Sequence, residues 1–350
     1  MKKLLLHYWP ELIITVAAWI AVWYFLGFEA FILTLILSAL EITLSADNAV
    51  VNSRVLMRMS VFWQRMFLTV GIILAVFVVR FVLPIVMVSV ATGLSVGEIY
   101  NLALNNPEEY GSKLHEVAPL IDGFGGFFLL MVALYFFVDR RRENHTRWLE
   151  NIETAAVRFA VVPLAKTIII AILYGAVLFF LPSENRQPVG IAMMLGILLY
   201  ASLHGVTLAM ERVNEAKNAK SNVRQLTGWT AFALFMYLQV LDASFSLDGV
   251  VGAFALTNQI VIIMAGLGIG ALWVRTMTIY MVRHNTLQTY KYLESGAHWA
   301  IIALATVMIL KLFHIELPEL VVGTIGLVFV GGAVFSSVLA NRQQSKSKNG

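Results

Sequence analysis

The chain has 350 residues, 59% of them hydrophobic and 13% charged, whereas soluble domains run at about 45–50% apolar and about 25% charged. A mean hydropathy of +0.79 therefore argues against a water-soluble globular protein and for a polytopic membrane protein. Cysteine is absent, which removes disulfides, thiolate metal centres and cysteine nucleophiles, and the net charge of +4 falls in short loops between apolar runs, a topology signal rather than a nucleic-acid one.

In chain order, MKKLLLHYWPELIITVAAWIAVWYFLGF resembles a signal peptide at its two lysines. Its apolar run is long and no A-x-A-like site closes it, so it predicts a retained first membrane helix. About 20 mostly apolar residues are needed to cross the hydrocarbon core. That rule predicts ten spans: 11–27, 29–51, 66–90, 119–138, 159–181, 188–210, 229–256, 260–282, 298–316 and 319–340. Basic residues gather at Lys2 and Lys3, at Arg54, Arg58 and Arg65, and at Arg140, Arg141, Arg142 and Arg147. They recur at Arg212, Lys217, Lys220 and Arg224, at Arg283 and Lys291, and in the tail at Arg342, Lys346 and Lys348. The alternation with base-poor loops predicts both termini in the cytoplasm. Residues 91–118, with Glu98, Glu108, Glu109 and Glu116, read as a solvated outer loop. The stretch 139–158 reads as a topogenic basic loop or, through Trp148 and Ile152 against Arg147 and Glu150, an interfacial helix. The tail NRQQSKSKNG reads as disordered.

The second span carries SALEITLSADNAVVNSR, residues 38–54. It places Glu41 and Asp47, with Thr43, Ser45 and Asn48, where a lipid-spanning helix is apolar. The pattern returns as LDASFSLDGVVG, 241–252: Glu41 aligns with Asp242, Thr43 with Ser244, Ser45 with Ser246, and Asp47 with Asp248. The helix after each also repeats, GIILAVFVVR (Gly71 to Arg80) against GLGIGALWVR (Gly266 to Arg275). The copies lie on the second and seventh spans, an odd offset of five, so they cross in opposite directions. The predicted fold is thus an all-α integral membrane bundle of about ten transmembrane helices in two inverted-topology repeats. Its expected divisions are an N-terminal membrane helix (1–28), a first repeat (29–158), linking helices (159–228), a second repeat (229–340) and a cytoplasmic tail (341–350).

At about 100° per residue, Glu41, Ser45 and Asn48 share one stripe while Asp47 lies about 120° off it. Asp-Asn and Asp-Gly are turn-prone pairs, so a local helix break is predicted in both copies. A charge at the bilayer centre costs about 2.5–3.5 kcal/mol on insertion scales, and four acids need compensation. Arg80 and Arg275 offset two, leaving two that one divalent cation would cancel. Oxygen-only donors favour Mn2+, Mg2+ or Ca2+ over Cu+ or Zn2+. Hydrogen-bonded packing between helices is the plainer alternative for the Ser, Thr and Asn residues. His204 and Lys166, inside the sixth and fifth spans, either line a path or occupy satisfied structural positions. Asp122 with Gly123, Gly125 and Gly126 reads as close helix packing, and Lys311, His314 and Glu316 as interfacial. No P-loop is present, so an ion gradient, most plausibly of protons, would supply the driving force.

At E-x-x-x-S-A-D-N-A, Glu41 to Ala49, the chain resembles the TerC family of integral membrane proteins over roughly residues 30–315, in particular a longer bacterial branch once described only as a domain of unknown function. The resemblance implies a LysE-like transporter of inverted repeats, tied to tellurium resistance and to manganese export. It implies Glu41, Asp47, Asn48, Asp242 and Asp248 as ion-site positions; the residues themselves add Ser45, Ser246, Thr43 and Ser244 as supporting donors and Arg80 and Arg275 for charge balance or gating. Gly249 follows Asp248 where the family often has serine, which takes away one oxygen donor. The expected function is export of a hard divalent cation, Mn2+ first, with no permanently bound cofactor and no enzymatic activity; the expected partners are the divalent ion and the lipid bilayer, with no nucleic acid. The alternatives are movement of another solute or an oxyanion such as tellurite, which paired acids suit poorly, a membrane scaffold in tellurite stress, or an intramembrane aspartyl hydrolase.

Overall fold

The computed structural model describes residues 9–138, 147–159, 164–218 and 226–348. Within them the chain is helical: α1 (Trp9–Leu26), α2 (Phe28–Leu44), α3 (Ala46–Leu56), α4 (Val61–Leu68), α5 (Val70–Ile73), a π-helical segment (Leu74–Val82), α6 (Leu83–Thr92), α7 (Val96–Asn105) and α8 (Pro107–Phe137). There follow α9 (Glu150–Phe159), α10 (Ala165–Phe180), α11 (Ser183–Asn218), α12 (Gly228–Leu256), α13 (Ile260–Arg283), α14 (Thr286–Thr289), α15 (Leu293–Lys311) and α16 (Glu319–Lys348). Met59 and Leu226 form one isolated parallel bridge.

Among the described residues eight helices are long and apolar enough to cross a membrane, or nine if the bent pair α2–α3 is one span. The remaining expected span, the fifth (159–181), corresponds to α10, which has 16 residues and at 1.5 Å per residue falls short of the ~30 Å hydrocarbon core. Large apolar side chains such as Trp23, Tyr24, Phe25, Phe28, Phe179 and Phe180 stand exposed. A water-solvated protein rarely shows so much continuous apolar surface, and a helix facing lipid does so as a matter of course.

The chain divides into two compact units. The first holds residues 1–45, 58–118 and 224–280. In it α2 packs on α13 through glycines: a Cβ at Gly266 would meet Leu37 and the Thr34 carbonyl, and one at Gly270 would meet Glu41 and the Ser38 carbonyl. The pair is a G-x-x-x-G spacing, which lets membrane helices approach at backbone distance. The N-terminal helix is tied to α13 by Trp273 Nε1 donating to Thr15 (2.9 Å) and Thr276 Oγ1 to Glu11 (3.0 Å).

The second unit holds residues 46–57, 119–223 and 281–350. Here α15 packs on α16, with Gly296 against Ala333 and the Phe329 carbonyl, and on α8, with Gly126 against Met308. Gly196 of α11 lies against the Phe124 carbonyl of α8. The Trp148 indole donates to Ser336 at 3.1 Å.

Four expectations change. Residues 91–118 are no solvated loop: α7 and the start of α8 occupy them and bury Ile99, Ala103, Tyr110, Leu114 and Val117, apolar spacing that the glutamates obscured. The tail is helical to Lys348, as a continuation of α16. The predicted break occurs at Ser45 only, where the chain bends by 52°. In the second copy α12 runs unbroken from Gly228 to Leu256, because Gly249 serves a close approach rather than a turn. The 139–158 stretch forms α9 from Glu150. The topology residues Lys2, Lys3, Arg140, Arg141, Arg142, Lys220 and Arg224 lie outside the described residues.

Candidate functional site

Glu41 sits in the last turn of α2, which ends at Ser45 with φ −101° and ψ 12°. Ser45 closes that end twice. Its N–H donates to the Glu41 carbonyl at 3.0 Å, and its hydroxyl donates to Glu41 Oε1 at 3.1 Å. The same carboxylate oxygen pairs with Arg80 Nη2, and both side chains are almost wholly buried. Arg80 also donates through Nη1 to the Ala75 carbonyl at 2.9 Å. Arg80 lies in the π-helical segment, where the Leu83 N–H reaches the Val78 carbonyl five residues back. Pro84 gives the physical cause. It has no N–H for the carbonyl four residues earlier, which belongs to Arg80, and its ring crowds that carbonyl. A wider turn relieves both, and π-bulges of this kind recur at functional sites.

The second acid is held in the same manner. Arg275 Nη2 donates to Asp242 Oδ2 at 2.8 Å and to Gln239 Oε1 at 3.3 Å. Its Nη1 donates to the Phe67 carbonyl at 3.2 Å, and the guanidinium lies 4.3 Å from the Phe67 ring centroid. Each buried arginine is therefore on the acid of its own copy of the motif.

Glycine brings the copies together inside the first unit. A Cβ on Gly71 would stand 2.6 Å from Arg275 Nη1 and 3.2 Å from Gln239 Nε2, so the bare backbone makes room for the guanidinium of the other copy. A Cβ on Gly249 would stand 3.3 Å from Glu41 Oε2. The residue after Asp248 thus borders the carboxylate of Glu41, and Gly270 borders the stem of the same side chain. Breaking either buried pair by removing one partner costs about 3–5 kcal/mol, since the other charge is left stranded.

The remaining expected donors divide. Asp248 and Ser246 are buried on α12. Ser244 is buried too, but its hydroxyl donates to the Val240 carbonyl at 3.0 Å. Thr43 is half-buried and donates to the Leu40 carbonyl at 2.7 Å. Asp47 and Asn48 open α3 and belong to the second unit. Asp47 Oδ1 accepts from the Asn48 N–H at 2.9 Å, an acid in a helix's first turn where the dipole favours it. Among the described residues no group of three or more histidine, aspartate or glutamate side chains converges as a metal cage.

Several buried polar groups escaped the sequence reading. Asn52 and Ser53 follow on α3, and Asn52 Oδ1 is buried with no hydrogen-bond partner among the described residues. Asn52 lies four residues after Asn48, so helical spacing was the available signal. Gln239 precedes Asp242 by three residues and shares its arginine. In the second unit Glu153 is buried and accepts from Ser295 (3.2 Å), the Trp299 indole (3.1 Å) and the Leu149 N–H (3.2 Å). His298 stacks on Phe136, and Arg54 pairs with Glu294. His204 stacks on Tyr200 at 5.7 Å, and Lys166 Nζ lies 4.2 Å from the centre of the Tyr135 ring, so both pack within an aromatic cluster. Asp122 is buried, while His314 and Glu316 are exposed.

Comparison with known proteins gives no match among curated proteins and none among solved structures. A family model described as "Protein of unknown function (DUF475)" matches residues 46–344, most of the chain. The chain therefore belongs to the DUF475 family of proteins of unknown function.

Proposed function

We propose that the chain is a secondary transporter exporting a hard divalent cation, Mn2+ first, across the bacterial inner membrane. In this reading ten spans form two inverted-topology repeats, with both termini cytoplasmic, as in the TerC-like transporters that its motif resembles. The observation that carries the proposal is the arrangement of the two buried arginine–carboxylate pairs. Glu41, on the bent pair α2–α3, and Asp242, on a helix apolar enough to cross a membrane, each hold a guanidinium, and Glu41 also borders Gly249 of the second motif. A membrane-buried ion pair is costly and marks a pathway by default.

The chemistry follows from competition for the same oxygens. A guanidinium on a carboxylate keeps a hard cation off it, and a cation that binds the carboxylate displaces the guanidinium. Glu41, Asp242 and Asp248 would offer charged oxygens, with Ser45 and Ser246 as neutral donors. Arg80 and Arg275 would hold the acids between transport events and keep the emptied site neutral. Protonation of an acid frees its arginine in the same way, which provides a route for coupling to a proton gradient. Asp47 and Asn48, in the second unit, remain candidate donors to be tested separately. An aspartyl hydrolase fits less well, since its two acids share a proton at close range and here each acid has its own guanidinium.

The test is Mn2+ efflux from proteoliposomes carrying the full chain or the variants Glu41→Gln, Asp242→Asn, Asp248→Asn and Asp47→Asn. Wild-type efflux lost in the first three variants, with helix content retained, is the expected result. Efflux equal to wild type in all of them would overturn the site. A competition series with Mg2+, Ca2+ and Zn2+ assigns the ion.

A further inference from the structure

A cavity of 540 Å³ lies in the second unit between α10 and the start of α11, away from the acids discussed above. That volume is within the usual range of small-molecule sites. Its wall has two characters. At one end, where α10 gives way to α11, it is lined by Ser183, Arg186 and Gln187. Beyond them the lining is apolar, through Leu178, Ile191 and Leu195. From Ser183 to Leu195 the helix rises about 18 Å at 1.5 Å per residue, so the polar end sits at a helix turn and the apolar body runs along a membrane-spanning helix.

The site is built rather than a chance gap between helices. Gly190 brings α11 close to α10, where a Cβ would stand 2.9 Å from Leu178 Cδ2. The Tyr174 hydroxyl donates to the Gly190 carbonyl at 3.1 Å and fixes the floor. Arg186 Nη2 donates to the Leu181 carbonyl at 3.0 Å and the Phe179 carbonyl at 3.3 Å. The guanidinium thus caps the end of α10 and is held in place at the cavity mouth. Five N–H donors are available to an arginine, and two carbonyls acting on one nitrogen leave the rest for a ligand.

We propose that this cavity binds a phospholipid, its phosphate on Arg186 with Ser183 and Gln187 beside it, and an acyl chain along Leu178, Ile191 and Leu195. The polarity gradient and the single fixed cation select an amphiphile with an anionic head over a wholly apolar or a wholly polar ligand. Arginine is suited to the task, since its planar fork matches phosphate oxygens in paired hydrogen bonds. Glu184 stands in the same turn and is not among the residues that line the cavity.

The experiment is native mass spectrometry of the full chain in detergent after titration with dioleoyl phosphatidylglycerol. Parallel titrations use dioleoylglycerol, which lacks the phosphate, and inorganic phosphate, which lacks the chains. Wild type is expected to retain phosphatidylglycerol and neither of the other two. Arg186→Gln is expected to weaken retention about tenfold or more, the loss of a charge-assisted contact, and Arg186→Lys by less. Ile191→Trp leaves the capping arginine in place and fills the apolar part of the cavity at an exposed position, so it reports on the cavity even if Arg186→Gln fails to fold. Equal retention by wild type, Arg186→Gln and Ile191→Trp overturns the proposal. So does retention of dioleoylglycerol as strong as that of the phospholipid, or retention of inorganic phosphate alone.

Discussion

Replacing Gly270 by alanine tests whether the close approach of α2 and α13 positions Glu41. Two effects oppose each other. Alanine in place of glycine inside a helix is favourable by about 0.5–1 kcal/mol from backbone entropy. Against this, the new methyl would run into Cβ and Cγ of Glu41 and stand 3.3 Å from the Ser38 carbonyl. These are the stem of a buried side chain and a backbone atom, neither of which moves aside easily, and overpacking of this kind costs about 1–3 kcal/mol. Gly331 supplies the control, since a Cβ there meets nothing within 4 Å, and its alanine variant should gain the entropy term alone. The entropy gain is common to both, so the two variants should differ by the overpacking cost, about 1–3 kcal/mol, or roughly five- to more than a hundredfold in the unfolding equilibrium. Reversible unfolding of the detergent-solubilised protein reads the difference, and Gly268→Ala, with Val76 Cγ1 at 3.3 Å, should fall between. If Gly270→Ala proves as stable as Gly331→Ala, the packing that brings Glu41 to Arg80 has been misread.

Three further outcomes follow. Glu41→Leu or Arg80→Met alone should cost about 3–5 kcal/mol by stranding a buried charge, while the double variant should recover most of it. Additive losses in the same unfolding assay would show that the two groups do not act as a pair. Pro84→Ala restores an N–H for the Arg80 carbonyl, so the π turn should tighten and amide exchange across Leu74–Val82 should slow; unchanged exchange would remove proline as its cause. At the start of α7, Ser95 and Glu98 form a reciprocal capping box, and the bonds from Ser95 hold the Glu98 carboxyl below its ordinary range. A depressed carboxyl stabilises above the unfolded-state pKa and loses that contribution as pH falls through the folded value. Protection factors at the α7 N-terminus, taken relative to the intrinsic exchange rate at each pH, should accordingly fall on acidification in wild type and lose that fall in Glu98→Gln.

Composition and hydrophobic periodicity determined that the chain is helical and membrane-like, since twenty apolar residues in a row have few other uses. The repeated acidic motif was legible too, because four acids in apolar runs stand out against insertion cost. Pro84 and the G-x-x-x-G spacing of Gly266 and Gly270 were also present to be read, yet their consequences depend on neighbours that no local window contains. Helical phase predicted a break near Ser45 correctly and a second in α12 incorrectly. Both sites carry turn-prone pairs, but Gly249 is spent on the approach to Glu41, and only the packed structure distinguishes a glycine that turns from a glycine that makes room. The arginines followed the same division. Charge counting called for two counter-ions, and tertiary contact decided that each belongs to the acid of its own copy, because which buried charges meet is a matter of distance across helices far apart in sequence.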